Sequence, residues 1–133
     1  MRIFFDEDNG TGIPRALKLV RLPNAEIHYA SNSDNQLVGK GTKDADWIPV
    51  VGARGFLLFS QNRTMLENEA ERQLLIEHQV GAVFLATGRL RSFEVLRMLL
   101  NRWQWLELVD ANIERPFAYI ISASGRARPI DLT

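Results

Sequence analysis

The sequence predicts an α/β domain built around a mainly parallel sheet of four to five strands. Short apolar runs of strand length alternate with segments whose apolar residues recur every three or four positions, a pattern typical of alternating strands and helices. The apolar content of 46% and the charged content of 24% are those of an ordinary globular protein. A chain of 133 residues has the size of one domain. No repeat or linker divides it, so residues 1–133 are predicted to form a single domain.

Five apolar runs predict the strands of the sheet, because polar or glycine-containing turns flank each of them. They are Arg2–Phe5, Glu26–Ala30, Phe56–Phe59, Ala82–Ala86 and Phe117–Ser122. The segment SNSDNQLVGKGTK after the second run lacks periodicity and is predicted to be a long loop. The C-terminal segment GRARPIDLT is predicted to be a tail or an edge hairpin.

The first two helices are predicted from their capping residues and their apolar spacing. Thr11 can cap the first helix, and Pro14 falls in its first turn, where a missing N–H costs little. Its predicted apolar face consists of Ile13, Ala16, Leu17 and Val20. Either Asp44 or Asp46 can cap the second helix, which ends at a glycine in DADWIPVVGARG. Pro49 favours a start near Asp46, because a proline deeper in the helix would break it.

Two further helices complete the alternation of strands and helices. Asn68 and Glu71 are spaced as a capping box for a helix that runs through His78 and stops at Gly81. Ser92 begins a long helix. The predicted apolar face of that helix consists of Phe93, Leu96, Leu100 and Trp103.

The composition excludes several classes of protein. Sixteen Lys and Arg balance sixteen Asp and Glu, which argues against broad, non-specific binding of nucleic acid. The chain contains no cysteine, so disulfides, thiolate catalysis and cysteine-ligated metal sites are ruled out. The apolar N-terminal run is too short for a signal peptide, and no stretch approaches the length of a membrane span. We therefore expect a cytoplasmic protein that does not bind membranes.

Polar residues gather where the predicted strands end. Asp6 and Asp8 follow the first strand, and Ser60 and Asn62 follow the third. The helix that leads into the third strand begins at the same edge of the sheet with two further acids, Asp44 and Asp46. Ligands of open α/β sheets bind beyond the carboxyl ends of the strands, and oxygen ligands suit Mg²⁺ or Mn²⁺. These residues indicate metal-assisted hydrolysis of a phosphodiester.

A purely structural interpretation competes with this one. Asp, Asn and Ser after strands are common because they cap helices and form turns. Asp6 is the exception, because it lies directly at the end of an apolar strand where an unpaired carboxylate would be costly. A metal or another cation beside it is the simpler explanation. Among the basic residues, Arg63 and Arg89 follow strand ends on the same side and are the candidates for contacts with phosphate.

At this point the chain resembles a known family, the PIN-domain ribonucleases, and in particular the small VapC-type toxins of bacterial toxin–antitoxin systems. The resemblance runs nearly from end to end. It rests on FFDEDNGTGIPRAL, DADWIPVVGARGFLLFSQNRTM, AVFLATGRL and RPFAYIISASGR. Its most telling part is an acid before a helix that begins with Trp, then a glycine, a buried strand and a Ser-x-Asn-Arg turn. It implies a three-layer α/β/α sandwich with an acidic pocket that binds Mg²⁺ or Mn²⁺.

The resemblance also assigns roles to individual residues. Asp6 matches the acid of the first strand and would be the central metal ligand, and Asp46 matches the acid directly before the Trp. Asp44 is the neighbouring alternative. Asn62 stands where close relatives usually have Asp, and Ser60 matches a Ser or Thr that would hold a water or a metal ligand in place.

The fourth acid of the family cannot be assigned by matching positions. Asp8, Glu67 and Glu69 all remain candidates. Asp8 is also expected to contact the metal ligands without binding the metal itself. Because Asn62 removes one negative charge from the site, metal affinity is expected to be weaker than in relatives that carry Asp.

The resemblance implies a metal-dependent endoribonuclease that leaves 5′-phosphate and 3′-hydroxyl ends, acts on an RNA substrate and is inhibited by a cognate antitoxin protein. The family and the tryptophans of the long helix are also compatible with a homodimer. Two alternatives stay open. One is a PIN-like domain that has lost catalysis and binds a protein or an RNA, and the other is a hydrolase of small phosphoesters.

Overall fold

Strands and helices alternate along the described part of the chain, as the sequence predicts. The computed structural model describes residues 1–6, 11–31 and 37–133. Its strands are β1 (Arg2–Phe5), β2 (Glu26–Tyr29), β3 (Leu57–Ser60), β4 (Gly81–Ala86), β5 (Phe117–Ser122) and β6 (Ala127–Ile130). Its helices are α1 (Gly12–Val20), α2 (Asp44–Ala53), α3 (Thr64–Glu67), α4 (Glu69–Glu77), α5 (Ser92–Asn101) and α6 (Trp103–Asn112). None of these helices is long and apolar enough to cross a membrane.

All six strands belong to one sheet with the order β2-β1-β3-β4-β5-β6. The first five are parallel, and β1 lies between β2 and β3, with Phe5 opposite Tyr29 on one side and Phe59 on the other. The last strand is antiparallel to β5, with Ala127 opposite Ile121. The α/β class and the mainly parallel sheet are thus confirmed. The predicted edge hairpin adds the sixth strand to the four or five expected.

Helices cover both faces of the sheet, which makes the three-layer sandwich. Strand residues alternate between the two faces, since successive side chains of a strand point to opposite sides. Ile3 and Phe5 pack in one apolar cluster with residues of α1, α5 and α6. Phe4 packs in the other cluster, where Ile48 of α2 and Leu75 of α4 are fully buried.

The long helix predicted from Ser92 is two helices in the structure. α5 ends at Asn101 and α6 begins at Trp103. Its predicted apolar face is also wrong in part, because Phe93 and Leu100 are exposed. The residues that α5 buries against the sheet are Val95, Met98 and Leu99. Both sets satisfy helical spacing, so the position of the sheet decides which of them becomes core.

Two helix boundaries also differ from the predictions. α2 begins at Asp44 rather than near Asp46, with Lys43 as its N-cap, so Pro49 lies inside the helix. α4 ends at Glu77, where Gln79 adopts a left-handed conformation after it. Gly81 therefore begins β4 instead of ending the helix. The predicted cap at the other end of α4 is present, since the Asn68 side chain accepts a hydrogen bond from the backbone N–H of Glu71.

Candidate active site

The order of the strands creates a switch point in the sheet, between β1 and β3. Between β1 and β3 the chain connections diverge, because β1 leads to β2 on one side and β3 leads to β4 on the other. In open α/β sheets such a switch point forms a crevice at the carboxyl ends of the strands, and ligands bind there. Asp6 follows β1 and Ser60 ends β3, so both lie at this position.

Asp6 is a buried carboxylate that neighbouring strand ends hold in place. Its exposed fraction is 5%, and that of Ser60 is 0%. The Ser60 hydroxyl donates to Asp6 Oδ2 over 2.5 Å, and the Asp6 backbone N–H donates to the Phe59 carbonyl over 3.2 Å. Burial of a charged group is costly unless hydrogen bonds or a cation compensate it. The bond from Ser60 supplies part of that compensation and fixes the direction of the carboxylate.

Asp44 lies in the wall of the same cavity as Asp6. The cavity has a volume of about 220 Å³ and is lined by Phe4, Asp6, Ala30, Val38, Gly39, Thr42, Asp44 and Trp47. Asp44 is the first residue of α2, and its Oδ1 accepts a hydrogen bond of 2.9 Å from the indole N–H of Trp47. Trp47 is itself buried, so it orients Asp44 from a rigid part of the core.

Asp46 does not line this cavity. It is exposed two residues further along α2, where its carboxylate lies in the first turn of the helix. Residues two apart on a helix do not share a face, so Asp44 and Asp46 cannot both point towards Asp6 from a regular helix. The structure therefore brings Asp44 to Asp6, the residue that the sequence offered as the neighbouring alternative.

Asn62 lies in the turn after β3, close to Ser60. Its backbone N–H donates to the Ser60 hydroxyl over 3.0 Å. Its side-chain oxygen accepts a hydrogen bond from the Thr64 hydroxyl. The amide oxygen that would act as a metal ligand thus has a local partner within the turn.

Glu71 is an acid of this region whose position the sequence did not reveal. It lies in the first turn of α4 and forms a hydrogen bond with Asp44. Burial raises the pKa of Glu71 above the ordinary glutamate value of 4.5, and the hydrogen bond and the negative charge of Asp44 raise it further. In the sequence, Glu71 was assigned to the capping box with Asn68, so it was not considered as a candidate for the fourth acid. The order of the elements did contain a signal. Because α4 leads into β4 as α2 leads into β3, the first turns of both helices must lie at the same edge of the sheet.

The other predicted residues are not among those that line this cavity, or lie outside the described residues. Glu67 and Glu69 are exposed. Asp8 falls between residues 6 and 11 and lies outside the described part of the chain. Arg63 and Arg89 are exposed in the segments that follow β3 and β4, on the edge of the sheet that carries Asp6.

The oxygen donors at this edge suit Mg²⁺ or a similar ion that takes only one or two of its ligands from the protein. Within residues 1–6, 11–31 and 37–133, no three acidic or histidine side chains lie close enough to bind one metal ion together. Mg²⁺ keeps several of its waters and binds through one or two carboxylates together with the phosphates of a substrate. Asp6 and Asp44, which line one cavity and are each oriented by a hydrogen bond, meet that requirement.

A comparison with protein families matches the part of the chain that contains the cavity. The model of the PIN-like domain matches residues 1–87. No curated protein and no solved structure matches the chain significantly. The matched region runs from β1 to just beyond β4, so it contains Asp6, Asp44, Ser60 and Asn62.

Proposed function

This chain belongs to the PIN-like domain family, and we propose on that premise that it is a metal-dependent endoribonuclease. The observation that carries the proposal is the buried carboxylate of Asp6 at the switch point of the sheet, held by Ser60 beside a cavity that Asp44 also lines. Carboxylates buried at a ligand-binding crevice are suited to hold a cation.

Asp6 and Asp44 would hold Mg²⁺ or Mn²⁺, with Asn62 as a further oxygen donor. When bound, such an ion lowers the pKa of a water molecule and offsets the negative charge of the phosphate under attack. The protein contributes orientation. Ser60 directs the carboxylate of Asp6 and Trp47 directs that of Asp44, so neither has to reorganise when the ion and the substrate bind.

Arg63 and Arg89 would position the RNA backbone. Both are exposed at the edge of the sheet that carries the acids. Contacts of arginine with phosphate give affinity without reading sequence. With zero formal net charge, the protein has little general attraction for nucleic acid, so we expect it to select a particular RNA rather than degrade RNA indiscriminately.

We place this nuclease in a type II toxin–antitoxin system in the cytoplasm. Two helices that pack against each other expose large apolar side chains that a partner protein could cover. Leu19 and Val20 of α1 are exposed by 82% and 58%, and Phe93 of α5 by 59%. Exposed apolar groups of this size are typical of surfaces that bind another protein. A cognate antitoxin and a second copy of this chain are the two partners that the family suggests.

Calorimetric titration with Mn²⁺, paired with cleavage of total cellular RNA, tests the proposal. Asp6→Asn and Asp44→Asn are expected to weaken Mn²⁺ binding at least about tenfold and to abolish cleavage, because each removes a charge from the site. Asp46→Asn is the matched control, since it removes the same charge from the same helix outside the cavity, and it is expected to leave both measurements within about twofold of the wild type.

The three variants also separate the alternatives. Loss of Mn²⁺ binding in Asp46→Asn but not in Asp44→Asn would return the role of metal ligand to Asp46. Wild-type protein that neither binds Mn²⁺ nor cleaves any RNA would refute the nuclease.

A second candidate function follows from Asn62. Its amide oxygen already accepts a hydrogen bond from Thr64, and an amide brings no charge to a metal. These facts favour a PIN-like domain that binds a protein or an RNA without cleaving it. Asn62→Asp distinguishes the two functions. A weak nuclease should bind Mn²⁺ more tightly and cleave faster in this variant, whereas a binding module should gain neither property.

A further inference from the structure

A second cleft, which the proposed metal site does not use, lies between α5 and the turn that joins β5 to β6. Its volume is about 320 Å³. One wall is a face of α5 that carries Arg97 and Asn101, and the other wall is the turn with Ser124 and Gly125. The walls approach each other closely, because a Cβ atom on Gly125 would lie 3.8 Å from Cγ of Met98. The cleft is thus concave enough to surround a small group.

Two arginines give this cleft a positive charge. Arg97 is exposed and Arg102 is partly buried, and neither forms an ion pair with a residue that the structure describes. Glu94 also lines the cleft, and its carboxylate accepts a hydrogen bond of 3.1 Å from the backbone N–H of Arg91. Two positive charges and one negative charge leave the lining cationic. Because a partly buried charge is costly without a counter-charge, the cleft favours an anionic ligand.

The electrostatics of the helices do not account for these arginines. Arg102 follows the last residue of α5, and a cation at the C-terminal end of a helix is stabilising. Arg102 also precedes Trp103, the first residue of α6, where the same charge is unfavourable. Arg97 lies in the middle of α5, away from both of its ends. The two effects on Arg102 oppose each other and Arg97 has neither, so a ligand is the better explanation for the pair.

The chemistry of the lining selects phosphate among the anions. A guanidinium group has five N–H donors and no acceptor, so both arginines require a ligand with acceptor oxygens. The planar guanidinium group matches phosphate through two parallel hydrogen bonds. A carboxylate has two oxygens, which one guanidinium group satisfies, whereas a phosphate group can present oxygens to two arginines at once. The side-chain amide of Asn101 can add a further N–H donor.

The order of the strands places this cleft at the same edge of the sheet as Asp6. β1, β3, β4 and β5 are parallel neighbours in that order, so their carboxyl ends form a row. Asp6 follows β1, Arg89 follows β4, and the turn with Ser124 follows β5. Three strand spacings of about 4.8 Å put the end of β5 about 14 Å from that of β1. The metal site lies on the α2 side of the sheet and the cleft on the α5 side, so a strand of RNA that reaches both crosses the edge beside Arg89.

We propose that this cleft binds one phosphate group of the RNA strand, at a distance from the bond that is cleaved. The inference rests on the proposed nuclease function, which supplies the RNA. Arg97 and Arg102 would hold the phosphate, and Asn101 would donate a further hydrogen bond to it. Since contacts with phosphate fix the position of a strand without reading its sequence, the cleft anchors RNA of any sequence.

NMR titration of the wild-type protein with inorganic phosphate in metal-free buffer tests the site without any cleavage. The Nε–H signals of Arg97 and Arg102, assigned with Arg97→Gln and Arg102→Gln, are expected to shift with one common apparent Kd. The Nε–H signal of Arg54 is expected to stay in place, because this exposed arginine precedes β3 at the opposite edge of the sheet.

Uridine and adenosine octamers, bound to the Asp6→Asn protein, test whether the phosphate belongs to an RNA strand. Arg97→Gln and Arg102→Gln in this protein are each expected to weaken binding of both octamers at least about threefold and to lower the salt slope by about 0.7, the contribution of one single-stranded phosphate contact. Ser124→Glu brings a carboxylate into the cleft from the exposed turn, so it should weaken binding while both arginines stay. Arg54→Gln is the matched control and is expected to leave the affinity within about twofold of the parent protein.

The outcomes distinguish this inference from the proposed function. Unshifted signals of Arg97 and Arg102 at high phosphate concentration, or losses no larger than that of Arg54→Gln, overturn the inference even if the protein cleaves RNA. Selective shifts of the two signals in a protein that cleaves no RNA support the phosphate site and refute the nuclease. Octamers with and without a 5′-phosphate identify the source, since equal losses for both indicate an internal phosphate and a loss confined to the phosphorylated octamer indicates the terminal one.

Discussion

Glu71 and Asp44 bring two carboxyl groups together at the first turns of α4 and α2. The raised pKa of Glu71 has a defined effect on stability. The folded protein binds the Glu71 proton more tightly than the unfolded chain does, so the free energy of unfolding falls as pH rises from about 4.5 through the raised pKa. Burial of the Glu71 carboxylate is the first cause, and the hydrogen bond and the negative charge of Asp44 add to it.

Glu71→Gln is therefore expected to stabilise the protein at neutral pH. The amide keeps a hydrogen-bond donor for Asp44 and removes the charge. We expect the free energy of unfolding at pH 7 to rise by a few tenths of a kcal/mol, because solvent screens a partly exposed pair. Near pH 3 the variant should match the wild type. Urea unfolding at the two pH values measures the difference, and Glu69→Gln, an exposed acid of the same turn, controls for the loss of charge alone. A rise of the same size in Glu69→Gln would contradict the pairing.

At the residue scale, the sequence predicted that acids after β1 and in α2 lie at one edge of the sheet, but not which acid of α2 lines the cavity. Asp44 and Asp46 have the same chemistry, and the choice between them depends on where the helix begins. Pro49 suggested a start near Asp46, yet the helix accommodates this proline one turn after its start and begins at Asp44. Asp6 was predictable because it directly follows the strand Arg2–Phe5, which places it at the carboxyl end of that strand. Glu71 was not, because its contact with Asp44 joins two helices that lie far apart in sequence.

At the scale of elements, the spacing of α2 and α4 depends on a glycine. A Cβ atom added to Gly52 would lie 2.2 Å from the carbonyl oxygen of His78 at the end of α4. The two helices thus approach closely at their C-terminal ends, and their first turns carry Asp44 and Glu71. Contact at one end helps to set the distance between the carboxyl groups at the other.

Gly52→Ala is expected to destabilise the protein and to disturb the acid pair. Because the atom that the new methyl group meets belongs to the backbone, the helices have to separate, at a cost of about 1–3 kcal/mol. Chemical unfolding measures the loss. Gly12→Ala is the matched control, because a Cβ atom there meets nothing within 4 Å, and it should be neutral or stabilising by up to about 1 kcal/mol. Equal stabilities of the two variants would show that α2 and α4 can move apart freely.

The elements also show where prediction from sequence stops. β5 has the bounds predicted for it, Phe117–Ser122, because a continuous apolar run of strand length has one interpretation. α5 is apolar on two faces, and only contact with the sheet selects Val95, Met98 and Leu99 as its core. Strand order was not predicted at all, since pairing between strands leaves no local pattern in a fully buried parallel sheet.

At the scale of the whole molecule, zero net charge conceals a concentration of charges of both signs at one edge of the sheet. Helices α2, α3 and α4 contain six acidic residues and one basic residue, Arg72. The acids are Asp44, Asp46, Glu67, Glu69, Glu71 and Glu77. The segments after β2, β3 and β4 contain five cations, and α2 and α4 begin at the same edge of the sheet. The cations are Lys40, Lys43, Arg63, Arg89 and Arg91. If the proposed function is correct, RNA that approaches this edge would meet these cations around an acidic centre.

Arg89→Gln is expected to weaken binding of single-stranded RNA and to reduce its dependence on salt. Each phosphate contact with a single strand contributes about 0.7 to the slope of log K against log salt concentration, so the slope should fall by about that amount. Filter binding to Asp6→Asn protein, which should not cleave, measures it between low and moderate salt. Arg54→Gln is the control, because this exposed arginine precedes β3 at the opposite edge of the sheet. An equal change in both variants would place the RNA elsewhere.

The two outer strands of the sheet have a consequence for how the chain behaves in a concentrated solution. β2 is four residues long and carries Glu26, which pairs with Arg2 over 3.1 Å. β6 carries Arg128 and Pro129, and proline has no N–H to donate. Both borders are thus short strands that carry a charged side chain, and β6 also lacks one backbone donor. The sheet is thus protected at both sides against the edge-to-edge pairing that leads to fibrils, although most of its strands are strongly apolar.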